Sequence, residues 1–532
     1  MLESRCHVGR VGYETKPKTG FLSLAEELMF YILRYLSYRD ILRCTSVCKA
    51  LRQAYMSSSE LQYTIELIGQ RLIPVPNTNY TPIGNRLKTL KDRSHAWFKF
   101  DMYSFVSRGH FSSWDETDDL AAIIPILPKP SQRTIERCWS LETLRLEPHS
   151  VTLDVLIDLA QNLIAVAYCV TSEDNPLESD EAVFIDLRAL DGDDVHPQAA
   201  QRTLFLWEEF ESESDLIKTT YAKLKCCGRH IALQRSLAIT NDDGKNYEWD
   251  MQIWDWQNSA TRRIVTGGAT PHPSENQIDF CFLGNDRLLI VADDLEVFSM
   301  EDLKMSRRMA RFKLPLPLQC IQCHPPMDNI EQMQTQPQTV RYTPDPKHQL
   351  LCLTGSYGTA SLVFIISTRI FFDLDEVAET ITIPWIHWGP SNTRVFRYPY
   401  QGKVHVSGNR VLQAFTISGP DTRPGEYGVR LMDFSPIAGT NRQGLGRVVK
   451  ESSTIEMSSV MDDTVKEENL TITTSLPYVE VVSKRKFSVR ELLDTWLDKD
   501  RIYLLNANWK HVAAGSTSYP TWESNRLEVI DV

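Results

Sequence analysis

The sequence predicts a two-part α+β chain, with an N-terminal unit of three helices and a helical linker followed by a large all-β domain. Three observations predict it. Apolar residues recur at helical spacing from Leu28 to about residue 100, and beyond that they alternate in runs of four to seven residues between polar turns. The third is length, since 532 residues exceed what one ordinary core fills, so two domains are expected, one of them large.

The elements follow in order. Residues 1–20 are polar and without periodicity, and are expected to be disordered. Leu28, Ile32 and Leu36 make one face of a first helix. "SYRD" breaks it, with Asp40 placed to cap the next helix. Ile41, Leu42 and Thr45 open that helix, and Val47, Cys48 and Leu51 continue the apolar set, which bounds the unit at 21–60. In the linker, 61–100, Leu61, Ile65, Ile68 and Leu72 keep helical spacing. After the breaker "PVPNTNYTPIGN", Leu87, Leu90 and Trp97 give a second stripe.

From 101 to 532 one cadence recurs. An alternating strand closes as "VFIDL" (183–187), "QIWDW" (252–256), "LEVFS" (295–299), "VFIIST" (363–368), "VRLMDF" (429–434) and "LEVIDV" (527–532). The last interval is wide enough for another unit, with "LPYVEVVSK" (476–484) as a candidate strand inside it. Units of roughly 40–50 residues, lengthened by loops, are what four-stranded propeller blades need. The expected fold is a six- or seven-bladed β-propeller-like domain, although a pair of β-sandwiches produces a similar rhythm. The segment 450–469, charged and rich in Ser and Thr, reads as a mobile acidic loop between strands.

Composition narrows the function. A net charge of −12 argues against a general nucleic-acid binder, which needs clustered Lys and Arg to neutralise phosphates. No apolar run reaches the roughly 20 residues that span a bilayer, and the first residues lack a signal-peptide stretch. Eleven cysteines at irregular spacing do not suggest a disulfide framework, and several sit in apolar runs as small hydrophobes. A cytoplasmic or nuclear protein is expected.

Chemistry-bearing motifs are sparse. "CIQCH" (320–324) has the spacing of a c-type haem attachment, but its alternation fits a plain strand and no targeting segment accompanies it. "KCCGRH" offers Cys226, Cys227 and His230 as half of a zinc site, lacking a second pair of ligands. The Gly-containing "GSYGTAS" (355–361) and "GTNRQGLGR" (439–447) match no phosphate-binding fingerprint and read as turns. No catalytic residue, metal or cofactor is assigned. "IPWIHWGPSNTRVFRYPY" (383–400) concentrates aromatics. It reads either as a structured connection whose Trp residues fill gaps between blades, or as a rim on which Trp385, Trp388, Arg394 and Tyr398 contact a protein target.

Residues 22–52, "LSLAEELMFYILRYLSYRDILRCTSVCKALR", resemble an F-box. Leu24, Glu27 and Leu28 match its opening, Ile32 and Leu33 its Ile-Leu pair, and Leu36 the end of the first helix. Asp40, Ile41 and Leu42 match the next turn, and Cys44, Val47, Cys48 and Lys49 the last. Ala25 departs from the usual Pro, which loosens the helix start but removes no apolar contact. Stretches such as "LQYTIEL" (61–67), "RLKTLKDRSHAW" (86–97) and "SLPYVEVV" (475–482) are similar to the expanded F-box proteins of mushroom-forming fungi.

The resemblance implies that these thirteen residues bind a Skp-family adaptor and, through it, a cullin. The β domain would then hold a protein substrate, as in a non-catalytic receptor of an SCF-type ubiquitin ligase. An F-box scaffold without a ubiquitination role, or an enzyme housed in the β domain, is the alternative. From physical chemistry alone, a helical unit of about 40 residues buries too little to stand by itself. Its apolar face needs either the rest of this chain or another protein.

Overall fold

In the N-terminal part the computed structural model describes residues 24–69, 72–74, 82–88 and 90. Beyond it are described 109–115, 120–126, 136–147, 150–170, 181–206, 216–241, 244–258, 262–269, 278–301, 308–324, 342–374, 381–398, 404–417, 426–436, 446–458, 469–488, 491–497, 501–510 and 521–531. Residues 1–20 and Trp97 lie outside these. The chain divides into two compact units, 1–69 with 79–94, and 70–78 with 95–532.

The first unit holds α1 (Glu26–Arg34), α2 (Tyr38–Val47), α3 (Lys49–Ser57) and α4 (Ser59–Gly69). Ser37, not Asp40, is the N-cap of α2. Its Oγ accepts from the Asp40 backbone N–H at 3.2 Å and donates to Asp40 Oδ2 at 2.7 Å, so Asp40, at the third helical position, holds the capping hydroxyl in place. The single residue Cys48, in extended conformation, separates α2 from α3. Leu33, Ile41, Leu61 and Ile65 form the core, with Phe30, Cys44 and Tyr55 packed against it. Thus α4, expected as linker, completes the core begun by α1 and α2. A further helical stretch covers 83–88, and both Leu87 and Leu90 are buried.

The second unit opens with β1 (Leu72–Pro74). A three-stranded meander follows, β2 (Gly109–Asp115), β3 (Leu120–Ile126) and β4 (Arg137–Ser140). Two four-stranded meanders come next. The first is β5 (Val151–Asp158), β6 (Leu163–Val170), β7 (Ala182–Ala189) and β8 (Thr203–Phe205), and the second is β9 (Leu216–Cys227), β10 (His230–Asn241), β11 (Gly244–Asp255) and β12 (Arg262–Ala269). The fourth sheet runs through β13 (Asp279–Leu283), β14 (Arg287–Val291), β15 (Leu295–Ser299) and β16 (Arg308–Phe312).

The fifth sheet starts with β17 (Gln319–His324). β18 (Tyr342–Pro344) leaves it to pair with β1, and β19 (Leu350–Tyr357) and β20 (Ala360–Ser367) continue it. β21 (Ile381–Ile383) adds in parallel to β16, and β22 (Thr393–Tyr398) closes the fifth sheet. The sixth is β23 (Val404–Ser407), β24 (Arg410–Thr416) and β25 (Glu426–Asp433). After β26 (Arg447–Val449) and a hairpin of β27 (Ser453–Ser458) with β28 (Asn469–Thr474), the chain returns as β29 (Tyr478–Ser488), the fourth strand of that sheet. The last is β30 (Leu492–Leu497), β31 (Arg501–Lys510) and β32 (Thr521–Asp531).

All six cadence segments are the third strands of successive sheets, β7, β11, β15, β20, β25 and β32. The expected extra unit near 476–484 is corrected, because that strand completes the sixth sheet and the wide interval holds the inserted β26 and β27–β28. The expected loop 450–469 is corrected in part. Residues 453–458 are strand, and 459–468 lie outside the described residues.

Packing makes the succession propeller-like. The second to sixth sheets each share core clusters with the sheet before and the sheet after, and period-2 alternation sends alternate side chains of one strand to different neighbours. In β6, Ile164, Val166 and Tyr168 join the first sheet's Ala121, Ile123 and Trp139, while Leu163, Ala165 and Ala167 join the third sheet's Ile231 and Leu233. Likewise Leu351 and Leu353 of β19 pack toward the fourth sheet, and Leu350 and Cys352 toward the sixth. The first strands of successive sheets, β5, β9, β13, β17, β23 and β30, are neighbours in space.

Candidate functional site

Helical spacing sorts the F-box-like residues into two sets. Leu33 and Ile41 are each 1% exposed and fill the unit's own core, with Cys44 half-buried beside them. They hold the fold rather than present a surface. Outside lie Leu24, Leu28, Ile32 and Leu36 on and beside α1, then Leu42 and, 75% exposed, Val47 on α2. Lys49 is exposed, and Asp40 and Cys48 are half-buried. The Glu27 side chain lies outside the described residues.

The structure adds Tyr31 and Tyr35 to the same α1 face, and Met56 on α3, all exposed. Leu28, Tyr31, Ile32 and Tyr35 recur at three- and four-residue intervals, so the sequence carried this signal. The two Tyr rings meet edge to face at 5.1 Å, and the Tyr35 hydroxyl donates to Tyr31 Oη at 2.9 Å, which raises the Tyr35 phenol. The Ser37 hydroxyl, then the Arg43 guanidinium, hold the Asp40 carboxyl below its ordinary value. Arg34 pairs with Glu60 at 3.1 Å. These apolar and aromatic side chains stay exposed in the folded unit, flanked by ordered polar groups.

Of the two readings of residues 383–400, the gap-filling connection fits the burial of Trp388, and the target-contacting rim is corrected at Trp388 and Arg394. Residues Trp385–Asn392 form a helix, not a loop. Trp388 is 3% exposed, its indole Nε1 donates to the Lys313 carbonyl at 3.1 Å, and its ring packs on Phe312 and Trp385. Trp385 is half-buried across Gly389, where a Cβ would meet its ring at 2.3 Å. Arg394 is 1% exposed and gives its guanidinium to the carbonyls of Leu476, Glu451 and Thr474 and to Ser453 Oγ. Trp388 and Arg394 therefore have no surface to offer a target. The Tyr398 side chain lies outside the described residues.

The Cys and His motifs are structural too. "CIQCH" is β17, with Cys320 exposed at φ 51° and Cys323 buried, so the two thiols diverge. "CCGRH" makes the β9–β10 turn, where Gly228 takes φ 56°. Among the described residues no three His, Cys, Asp or Glu side chains gather as a metal-holding group. No described helix is long and apolar enough to cross a membrane.

Charged groups do gather on the neighbouring first strands. Asp279 of β13 takes Lys225 Nζ at 2.7 Å and Lys223 Nζ at 3.1 Å from β9, and the Asp154 carboxylate accepts from the Leu224 backbone N–H at 2.7 Å. His324 of β17 contacts Thr354 Oγ1 at 3.2 Å, and His405 of β23 stands 3.7 Å from Asp494 of β30. Burial, then the neighbouring His405, lowers the His324 imidazole to about 4, and burial raises Asp154 to about 6.

The F-box-like family model matches residues 22–61, the segment that carries the uncovered face. No curated protein matches the chain. Among solved structures it is similar to the WD40 domain of SCAP from fission yeast, at 9% identity over 75% of this chain and 79% of that one, with a TM-score of 0.29. It is also similar to the β-propeller domain of the Trilobed protease from Pyrococcus furiosus, at 13% identity over 54% of this chain and 79% of that one, TM-score 0.25. A third is the acylaminoacyl peptidase of Pyrococcus horikoshii, at 10% identity over 54% and 43%, TM-score 0.24. Residues 22–61 are an F-box-like domain, carried on a chain whose large all-β part is propeller-like in the succession of its sheets.

Proposed function

We propose that this chain is a substrate receptor of an SCF-type cullin ubiquitin ligase. The F-box-like domain binds a Skp-family adaptor, and through it a cullin, while the β domain holds a protein target. The chain itself makes and breaks no bond in this reading. It raises the local concentration of target beside a loaded conjugating enzyme, which is catalysis by proximity supplied from outside. Free thiols at all the described cysteines suit a reducing cytoplasmic or nuclear setting.

One observation carries the reading. Leu24, Leu28, Tyr31, Ile32, Tyr35 and Leu36 are all at least 36% exposed in a domain whose core is already filled by their neighbours. Contiguous apolar surface of this kind marks an interaction site. Covering these side chains contributes up to roughly 1.5–3 kcal/mol each.

The test is co-purification of the full chain with a Skp-family adaptor. Leu36→Asp and Leu42→Asp, both at exposed positions, are expected to abolish the complex while circular dichroism and the melting of the β domain stay unchanged. Wild-type binding in both variants would sink the assignment. Reconstituted transfer of ubiquitin to a captured target then separates a receptor from a scaffold that only binds.

A further inference from the structure

One end of the second sheet concentrates negative charge. Its antiparallel meander brings the β6–β7 connection and the exit of β8 to the same end, since Val170 pairs with Ala182 and the Leu206 N–H donates to the Val183 carbonyl at 3.0 Å. The two connections that leave there read "TSEDNPLESDE" (171–181) and "WEEFESESD" (207–215), with ten carboxylates and no Lys or Arg. Over the whole chain 57 cations stand against 69 carboxylates, so this excess is local.

Apolar side chains stay uncovered on the same sheet. The first sheet has three described strands against four in the second, so β8 has no described fourth strand opposite it. Phe205 of β8 is 45% exposed, with its ring against Phe184 at 5.3 Å. Leu146, 41% exposed, is fixed on that face by a buried carboxylate. Asp186 Oδ2 accepts the Leu146 backbone N–H at 2.9 Å, and Asp186 Oδ1 accepts the hydroxyl of Thr203, two residues before Phe205, at 2.6 Å. Glu147 follows, exposed and, among the described residues, without a cation partner. The cation of that segment, Arg145, is buried and donates inward to the Ser150 carbonyl and Thr152 Oγ1. Exposed apolar residues inside a field of one sign point to a partner of the other.

We infer that this end of the second sheet is where the β domain takes its target, through a protein segment in which Lys or Arg alternates with apolar side chains. The inference rests on the receptor reading and deepens it by naming the chemistry of the target. The apolar side chains of the segment cover Phe205 and Leu146, and its cations lie beside Glu147 in the negative field of that end. Attraction of charge speeds the encounter, and the apolar contact holds the segment once it has arrived.

The full chain is titrated with a short labelled peptide alternating Lys and Leu, and binding is read by fluorescence anisotropy at ionic strengths of about 0.05 M and 0.5 M. Binding is expected at low salt and about tenfold weaker at high salt. A peptide alternating Glu and Leu is expected not to bind, and one alternating Lys and Ser to bind about tenfold more weakly than Lys and Leu. Leu146→Ser with Phe205→Ser should bring the Lys–Leu peptide down to the Lys–Ser level. Glu147→Lys, a change at an exposed position that leaves the melting curve unaltered, should weaken it about threefold at low salt. No binding by wild type, or an affinity unchanged in either folded variant, overturns this inference and leaves the adaptor complex, scored on the same preparation, untouched. An adaptor complex that never forms, while the peptide binds through Phe205, overturns the receptor reading and leaves this surface standing as a binding site for basic segments.

Discussion

Leu33 and Ile41 meet in one buried cluster, each 1% exposed, although their immediate neighbours Ile32 and Leu42 are 41% and 38% exposed. Adjacent members of one sequence motif therefore do different work. The inward pair joins α1 and α2 to Leu61 and Ile65 of α4, and the outward pair faces away from that core.

This division predicts separable variants. Leu33→Ala leaves a cavity and is expected to cost about 2–5 kcal/mol, and Ile32→Ala within about 0.5 kcal/mol of wild type. Hydrogen exchange of the α1–α4 amides in the full chain distinguishes them. Leu33→Ala should lose protection throughout the helices, whereas Ile32→Ala should keep it and weaken only the adaptor complex. Equal loss of protection in both would contradict the inward and outward assignment.

Arg394 predicts a second, distant effect. Its Nε donates to the Leu476 carbonyl at 2.9 Å, its Nη1 reaches Glu451, Ser453 and Thr474, and its guanidinium lies over the Tyr478 ring at 5.3 Å. These contacts tie β22 to the β27–β28 hairpin and to the entry of β29. Arg394→Met keeps the length of the stem but leaves these acceptors without their donor, at an expected cost of about 2–4 kcal/mol. Exchange should quicken in 453–458 and 469–474 and stay unchanged in the second and third sheets. Arg394→Lys should recover only part of the loss, because an ammonium does not reproduce the planar fork.

What was legible in the sequence follows from period and repetition. The six cadence segments were visible because third strands are buried on both faces and carry dense apolar alternation. The first sheet was not, since its third strand is only the four residues "RCWS". The inserted hairpin is masked by its Ser and Thr content, although Met457 and Ile472 bury in the core and Arg394 ties its ends, a contact that composition does not display. Tyr31 and Tyr35 had helical spacing but fell outside an aliphatic motif. For Trp388 the sequence left burial and a rim contact as alternatives, and the burial of Arg394 was not legible, because aromatic and Arg side chains suit an interface and a gap between sheets equally well.

The neighbouring first strands make stability depend on pH, in a direction their burial fixes. His324 takes its proton only near pH 4 in the fold, first because it is buried, then because His405, Lys225 and Lys223 face it, with Asp279 pulling the other way. Its ordinary value is 6.5, so between 6.5 and 4 the unfolded chain binds a proton that the fold refuses. The stabilisation is complete above pH 6.5 and is lost as pH falls toward 4, to a limit of about 3 kcal/mol. Asp154 acts in the opposite sense. Raised by burial from 3.8 to about 6, it favours the fold as pH drops through 6, and so it partly masks the histidine. Denaturant midpoints at about pH 7 and pH 5 should therefore fall only modestly in wild type. They should fall more steeply in Asp154→Asn, which removes the opposing carboxyl, and least in His324→Asn. If His324→Asn shifts both midpoints equally, the buried imidazole is not the group that gives this domain its acid sensitivity.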